Sequence, residues 1–290
     1  MFFSGIINIS QRGHCLKGVI FMNFIEKIIY FLQATMDIPQ AFSLWHIISL
    51  LAVVASCVLA GFFMRKASNK TLRIFLIVTS AVLVVCELLK QGVFSMGVHD
   101  GVATWDYAWY VFPFQFCSMP MYIGLVAGII RPGKVQDCLL SFLSTFAILA
   151  GLIVMFVPSQ VYCNWIFINI QTMIYHGAML MVGTVILVGK HTKIELKTIL
   201  KGAIIFAICM LTALIMDIVA VKAFNIQETF NMFFISPYQP CPMPVFSIFY
   251  AKLPYLVFLL LYLIGFVGGT FLVMYIIKFV SWLVSKMRRV

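Results

Sequence analysis

Long apolar runs and short polar breaks alternate along this chain on a scale of about twenty residues, the length a helix needs to cross a bilayer. Seven such runs stand out: about Leu44 to Met64, Leu72 to Val93, Trp109 to Ile130, Cys138 to Val157, Trp165 to Val188, Ala203 to Phe224 and Pro254 to Trp282. They are apolar on every side, whereas membrane β-strands alternate apolar and polar residues. Ahead of them, Phe24, Ile25, Ile28, Ile29 and Leu32 recur at helical spacing with Glu26, Lys27 and Gln33 between, the pattern of a short helix lying in a membrane surface. The pattern predicts an all-α polytopic membrane bundle of seven transmembrane helices over residues 44–290, preceded by an N-terminal segment, 1–43, with an interfacial helix. Phe2 to Ile9 is also apolar but lacks the basic start of a signal peptide, so no cleaved signal is expected, and Met22 is a plausible alternative start.

Composition sharpens the class. The chain is 63% hydrophobic and 10% charged, with a mean hydropathy of +1.07, against about 25% charged residues in soluble domains. A net charge of +11 would suggest nucleic acid in a soluble protein. Here the positions of the charges point elsewhere. Lys and Arg cluster after the first run (Arg65, Lys66, Lys70, Arg73), the third (Arg131, Lys134), the fifth (Lys190, Lys193, Lys197, Lys201) and at the end (Lys278, Lys286, Arg288, Arg289). Loops 94–108 and 158–164 hold neither. By the positive-inside rule the N-terminus is expected outside and the C-terminus inside. Membrane lipids are the expected partners, and nucleic acid is not.

Ionisable groups within such runs are costly and face a bundle interior or a wet cavity. His46 opens the first run. Glu87 and Lys90 lie three residues apart on one face of the second, where they can pair. Gln115 and Cys117 occupy the outer half of the third, Asn169 and His176 share a stripe of the fifth, and Asp217 lies near the outer end of the sixth. All fall between the outer surface and the bilayer middle, which suggests one polar cavity opening to the outer leaflet. Each residue also has a plainer reading: His46 as a cap, Glu87 and Lys90 as a structural pair, Asp217 as a partner of Lys222, and Cys117 as a small core residue.

Eight cysteines show no C-x-x-C and no zinc-ligand spacing, so no metal is expected. Cys163 and Cys241 fall in outer loops and can be drawn as a disulfide. No nucleotide-binding or serine-hydrolase motif is present, and no cofactor is expected. No lysine sits mid-span in the last run for a retinal Schiff base. Gly124 to Gly128 and Gly265 to Gly269 carry the small-residue spacing of close helix packing.

The stretch Phe112-Pro113-Phe114-Gln115-Phe116-Cys117-Ser118, with Glu87 and Lys90 one span earlier, resembles the L-P-L-H-L-C-S signature of the YwaF-like bacterial integral membrane proteins. Pro158, His176-Gly177, Asn231-Met232-Phe233-Phe234 with Pro237, and Leu253-Pro254-Tyr255 follow in the family's order. Gln115 stands where the family usually has His, and Leu-Pro-Tyr reduces its G-P-W-P-W-Y segment. The resemblance implies a bacterial plasma membrane, and through an animal relative a cysteine-dependent phospholipid acyltransferase. Carried over, it implies Cys117 as nucleophile and His176 as base, acting on a phospholipid or lysophospholipid. Asn169 or Gln115 would stabilise an oxyanion, and His46, Glu87, Lys90, Asp217 and Asn231 would contribute to the substrate pocket. Two rivals share these residues: a proton-linked small-solute transporter, and a sensor or assembly subunit with a structural polar core.

Overall fold

A bilayer offers no water to backbone amides, so a chain this apolar satisfies them internally, as helices. The computed structural model describes residues 22–226 and 230–287. The apolar patch at Phe2–Ile9, Cys15, Arg288 and Arg289 lie outside the described residues. Helix α1 (Phe24–Leu32) is set by a capping box: the Asn23 side chain accepts from the Glu26 amide, and the Glu26 carboxylate accepts from the Asn23 amide. It lies against the end of the helix Asn69–Ser95 through the Gln33 amide, which donates to Val93 O and Met96 O. Phe24 and Phe31 stay exposed.

Helix α2 (Leu44–Met64) keeps the bounds expected from the sequence, and α3 (Asn69–Ser95) begins at a Ser68 cap. A hairpin follows, β1 (Met96–His99) antiparallel to β2 (Val102–Trp105), turned at Asp100-Gly101, where both residues adopt left-handed φ. Then come α4 (Met119–Ile129), α5 (Lys134–Ser144), α6 (Phe146–Phe156), α7 (Ile166–Val188), α8 (Leu196–Lys222), α9 (Pro244–Lys252) and α10 (Tyr255–Met287). Among the described residues, six helical stretches are long and apolar enough to cross a membrane, with α5 and α6 counted as one. The protein is a polytopic helical membrane protein.

Two of the expected spans differ from straight helices. Trp109 to Ile130 is helical only from Met119. Before it the chain descends through two 3-10 turns, Trp109–Val111 and Phe116–Ser118, joined by extended backbone. Pro113 accounts for part of this, since it disfavours the helical conformation in the residue before it. The run from Cys138 begins earlier, at Lys134, and breaks at Thr145 (φ −130°, ψ −74°). There the Ser144 and Thr145 hydroxyls both donate back to Ser141 O, a competition with the helical ladder that bends helices.

The long helices pack as the pairs α2–α7, α3–α4, α5–α8 and α6–α7. Helices α5 to α7 form the interior, while α2, α3, α8 and α10 expose apolar flanks such as Phe63, Val82, Leu211 and Leu272. Apolar surface outside and polar groups inside is the arrangement a bilayer requires. The small-residue spacing in α4 acts as close packing: a Cβ on Gly128 would come within 2.9 Å of Arg73 O on α3. One end of the bundle carries the hairpin, and the other carries the Lys and Arg loops 65–73, 131–134 and 190–201. These are the hairpin end and the basic end below.

Candidate functional site

Helix α4 is about 16 Å long at 1.5 Å per residue, half of the roughly 30 Å hydrocarbon core. The residues before it therefore bring non-helical backbone to membrane depth, which is tolerated only where protein covers it or it lines a cavity. Here side chains from neighbouring helices take up its polar groups. Gln91 Nε2 donates to Val111 O (2.7 Å) and Tyr122 Oη to Pro113 O (2.9 Å), while the Gln115 amide is held from the opposite side of the bundle. Cys117 sits in the last turn of this descent. It packs on Ala147, Ala150 and Met179 yet keeps part of its surface accessible.

A charged pair lies on α3. Lys90 Nζ lies 2.8 Å from Glu87 Oε1, and the same oxygen accepts from Gln91 Nε2 at 2.6 Å. Tyr107 from the hairpin loop donates to Gln91 Oε1 at 2.8 Å, so the network runs from the exposed hairpin end down to a buried carboxylate. The second oxygen, Glu87 Oε2, is buried without a hydrogen-bond partner. Gln91 was not singled out in the sequence, although Glu87 and Gln91 are spaced i,i+4, a spacing that places side chains in contact on a helix.

His176, in the buried part of α7, donates from Nδ1 to Thr172 O at 2.7 Å. A carbonyl can only accept, so Nδ1 carries the proton and Nε2 keeps a free lone pair, the tautomer of a general base. The Cys117 thiol and the His176 ring are not hydrogen-bonded to each other; the bond of the His176 ring is to Thr172 O.

The other candidate residues divide between two places. His46 is fully buried and uses both nitrogens. Nδ1 accepts from the Phe42 amide (2.8 Å), so Nε2 donates to Met155 O (2.9 Å), which ties the start of α2 to the end of α6. Asn169 clamps the loop before α7, accepting from Cys163 N and donating to Cys163 O. Gln115, Asp217 and Asn231 meet around residues 231–236. Gln115 donates to Asn231 O and accepts from Phe233 N, and Asp217 accepts from Met232 N. The amides expected to stabilise an oxyanion are thus engaged with loop backbone. Asp217 is not paired with Lys222, which instead lies over the Tyr238 ring. Cys163 and Cys241 are free thiols in separate apolar clusters, so they form no disulfide, and burial pushes both thiols up. Among the described residues, no group of His, Cys, Asp and Glu is placed to hold a metal ion.

An apolar cavity of about 560 Å³ opens between α2, α3 and α7. It is lined by Val53, Leu83 and Ile174 among others, and by Gly177 and Ala178, which follow His176 directly. In comparison with known proteins, the sequence model of the TMEM164 family matches residues 41–278, most of the chain. No curated protein and no solved structure matches it.

Proposed function

The chain belongs to the TMEM164 family, and on that premise we propose that it is a membrane-embedded, thiol-dependent acyltransferase acting on phospholipids, with Cys117 as nucleophile and His176 as base. The observation that carries the reading is the place of Cys117: a half-buried residue on a 3-10 turn that ends a non-helical descent, about 18 Å from the basic end of α4 and close to mid-bilayer. Thiols become nucleophiles as thiolates, and a neighbouring cation or base provides for that. Lys90 supplies the positive field and His176 Nε2 the lone pair.

In the first half-reaction His176 takes the thiol proton, and Cys117 Sγ attacks the ester carbonyl of a donor phospholipid. The C–O bond breaks, and the lysophospholipid leaves with the proton returned by His176. In the second half, a lysophospholipid hydroxyl gives its proton to His176 and attacks the thioester, which restores the thiol. The thiol–imidazole contact closes when the ester is bound, since catalytic hydrogen bonds often tighten only in the loaded site. The cavity beside α7 receives an acyl chain: its walls are apolar, and its volume falls within the range of about 300 to 1,000 Å³ common to ligand pockets. The reading keeps seven spans in a cell membrane, with the hairpin end and N-terminus outside and the C-terminus inside.

Proton-linked solute transport would need a polar route through the basic half. Phe116, the residue before Cys117, is instead ringed by Phe142, Phe206 and Phe266 at centroid distances of 5.1 to 6.1 Å, an apolar surround rather than a polar route. The test is lipid mass spectrometry on the purified protein in vesicles holding a phospholipid and a lysophospholipid. Transfer is expected in the wild type, with none in Cys117→Ser and a loss of about a hundredfold in His176→Ala. Full activity in either variant, or no wild-type transfer across a broad lipid panel, would overturn the proposal.

A further inference from the structure

The segment from Asn231 to Ser236 turns back into the bundle without being a helix. Met232, Phe233, Ile235 and Ser236 are almost completely buried. Phe233 (φ 55°, ψ 7°) and Phe234 (φ 59°) both adopt left-handed backbone, which is uncommon for a bulky residue and rarer still for two in succession. Strain of this kind persists only where the surroundings over-determine it. The surroundings here do so. Met232 N donates to Asp217 Oδ1 (2.7 Å), Phe233 N to Gln115 Oε1 (3.0 Å), Tyr262 Oη to Phe233 O (2.7 Å) and Ser236 N to Asn231 Oδ1 (2.9 Å), while Asn231 O accepts from Gln115 Nε2 (2.9 Å).

Two of these bonds end on Gln115, two residues before Cys117. The Phe233 ring adds a third tie. Its centroid is 5.8 Å from that of Phe116, the residue immediately before Cys117, and both rings also pack on Phe206. The turn that carries the thiol therefore touches the strained segment at two successive positions, and Asp217 anchors the segment from α8. We propose that residues 231–236 form a re-entrant wall that sets the position of Cys117, with Asp217 and Phe233 acting as positioning residues through Gln115 and Phe116. The proposal rests on the reading of Cys117 as a nucleophile, and it assigns a role to the Asn-Met-Phe-Phe segment and to a buried acid that the acyl-transfer steps do not use.

The test reads the thiol directly. The purified full-length protein in detergent is treated with N-ethylmaleimide over a range of pH, and modification is followed cysteine by cysteine by peptide mass spectrometry. Gln115→Met keeps the volume and removes both bonds to the segment; Asp217→Ala removes the anchor, and Asp217→Asn keeps an acceptor for Met232 N. In Gln115→Met and Asp217→Ala, the Cys117 rate is expected to change by about tenfold, since small misplacements of reacting groups carry effects of that size or more. Its pH midpoint is expected to move as well, with Cys209 and Cys163 unchanged and Asp217→Asn close to wild type. An unchanged Cys117 profile in folded Gln115→Met would overturn the proposal, as would an equal change at every buried cysteine, which would signal general loosening. If Asp217→Ala does not fold, Gln115→Met and Phe233→Leu carry the test. Absence of wild-type acyl transfer would overturn the enzyme reading and leave this result standing.

Discussion

The two buried histidines have the same residue type, and what separates them is the use of their second nitrogen. His46 spends both on backbone partners, so it is a joint between α2 and α6. His176 spends one. His46→Ala leaves Phe42 N and Met155 O unmatched, at about 1 to 3 kcal/mol for each group kept from water. The expected result is a marked fall in thermal midpoint in detergent, whereas His176→Ala should hold its midpoint and lose transfer. The sequence reads His46 at the start of one run and His176 within another, but residue type and position do not reveal how many ring nitrogens are engaged. The same holds for Asn169, whose amide serves the backbone of Cys163. A third histidine, His191, lies beyond α7 in a loop at the basic end, with its Nε2 buried and unpartnered. Burial lowers its pKa, so the folded protein binds fewer protons there than the unfolded chain below about pH 6.5. Stability is therefore lost as pH falls through that value. Thermal midpoints taken at pH 7.5 and 5.5 should separate, and His191→Asn should narrow the gap.

Elements were legible where a helix crosses unbroken and illegible where it does not. The bounds of α2 follow directly from an apolar run between polar stops. The third run has the same apolar length, yet half of it is descending backbone, because hydropathy reports that a segment is in the membrane and not how its amides are satisfied. Pro113 and Pro120 are the visible signals of that departure. The break at Thr145 has no proline, and it arises where the Ser144 and Thr145 hydroxyls both donate to Ser141 O, a pattern common enough to pass unnoticed. Helix contacts also fix the site. A Cβ on Gly151 of α6 would lie 3.0 Å from His176 O and 2.9 Å from Leu180 Cγ. Gly151→Val should thus push α7 away from α6, with transfer falling about a hundredfold, and the thermal midpoint falling too. Arg73 offers a contrast at the basic end: its guanidinium donates to Gly128 O and Ile129 O and closes the last turn of α4. Arg73→Met should lower the midpoint modestly and leave the substrate's KM unchanged, because nothing at that end of α4 touches the thiol.

Across the whole molecule a network of charged and amide side chains reaches toward Cys117 from the hairpin end, and a cluster of aromatic rings packs against the same turn. Glu87, Lys90 and Gln91, continuing to Tyr107, connect the hairpin end with the neighbourhood of Cys117. Phe142, Phe206 and Phe266 pack around Phe116, the residue before Cys117, and Phe146 lies on Phe142 and Phe206. Part of the polar network was readable from the sequence, because Glu87 and Lys90 are spaced to pair on one helix face. The ring stack was not, since 28 Phe offer many ways to meet and only packing selects one. A network that comes from the hairpin end makes a directional prediction. In sealed proteoliposomes of known orientation, a membrane-impermeant charged thiosulfonate added at the hairpin side should modify Cys117, with the Lys90 charge drawing the anionic reagent inward. The same reagent added at the basic side should leave it intact, and Lys90→Gln should slow the hairpin-side reaction. Modification at equal rates from both sides would mean a continuous wet path through the bundle, the arrangement a transporter needs and an acyltransferase drawing its substrates from one leaflet does not.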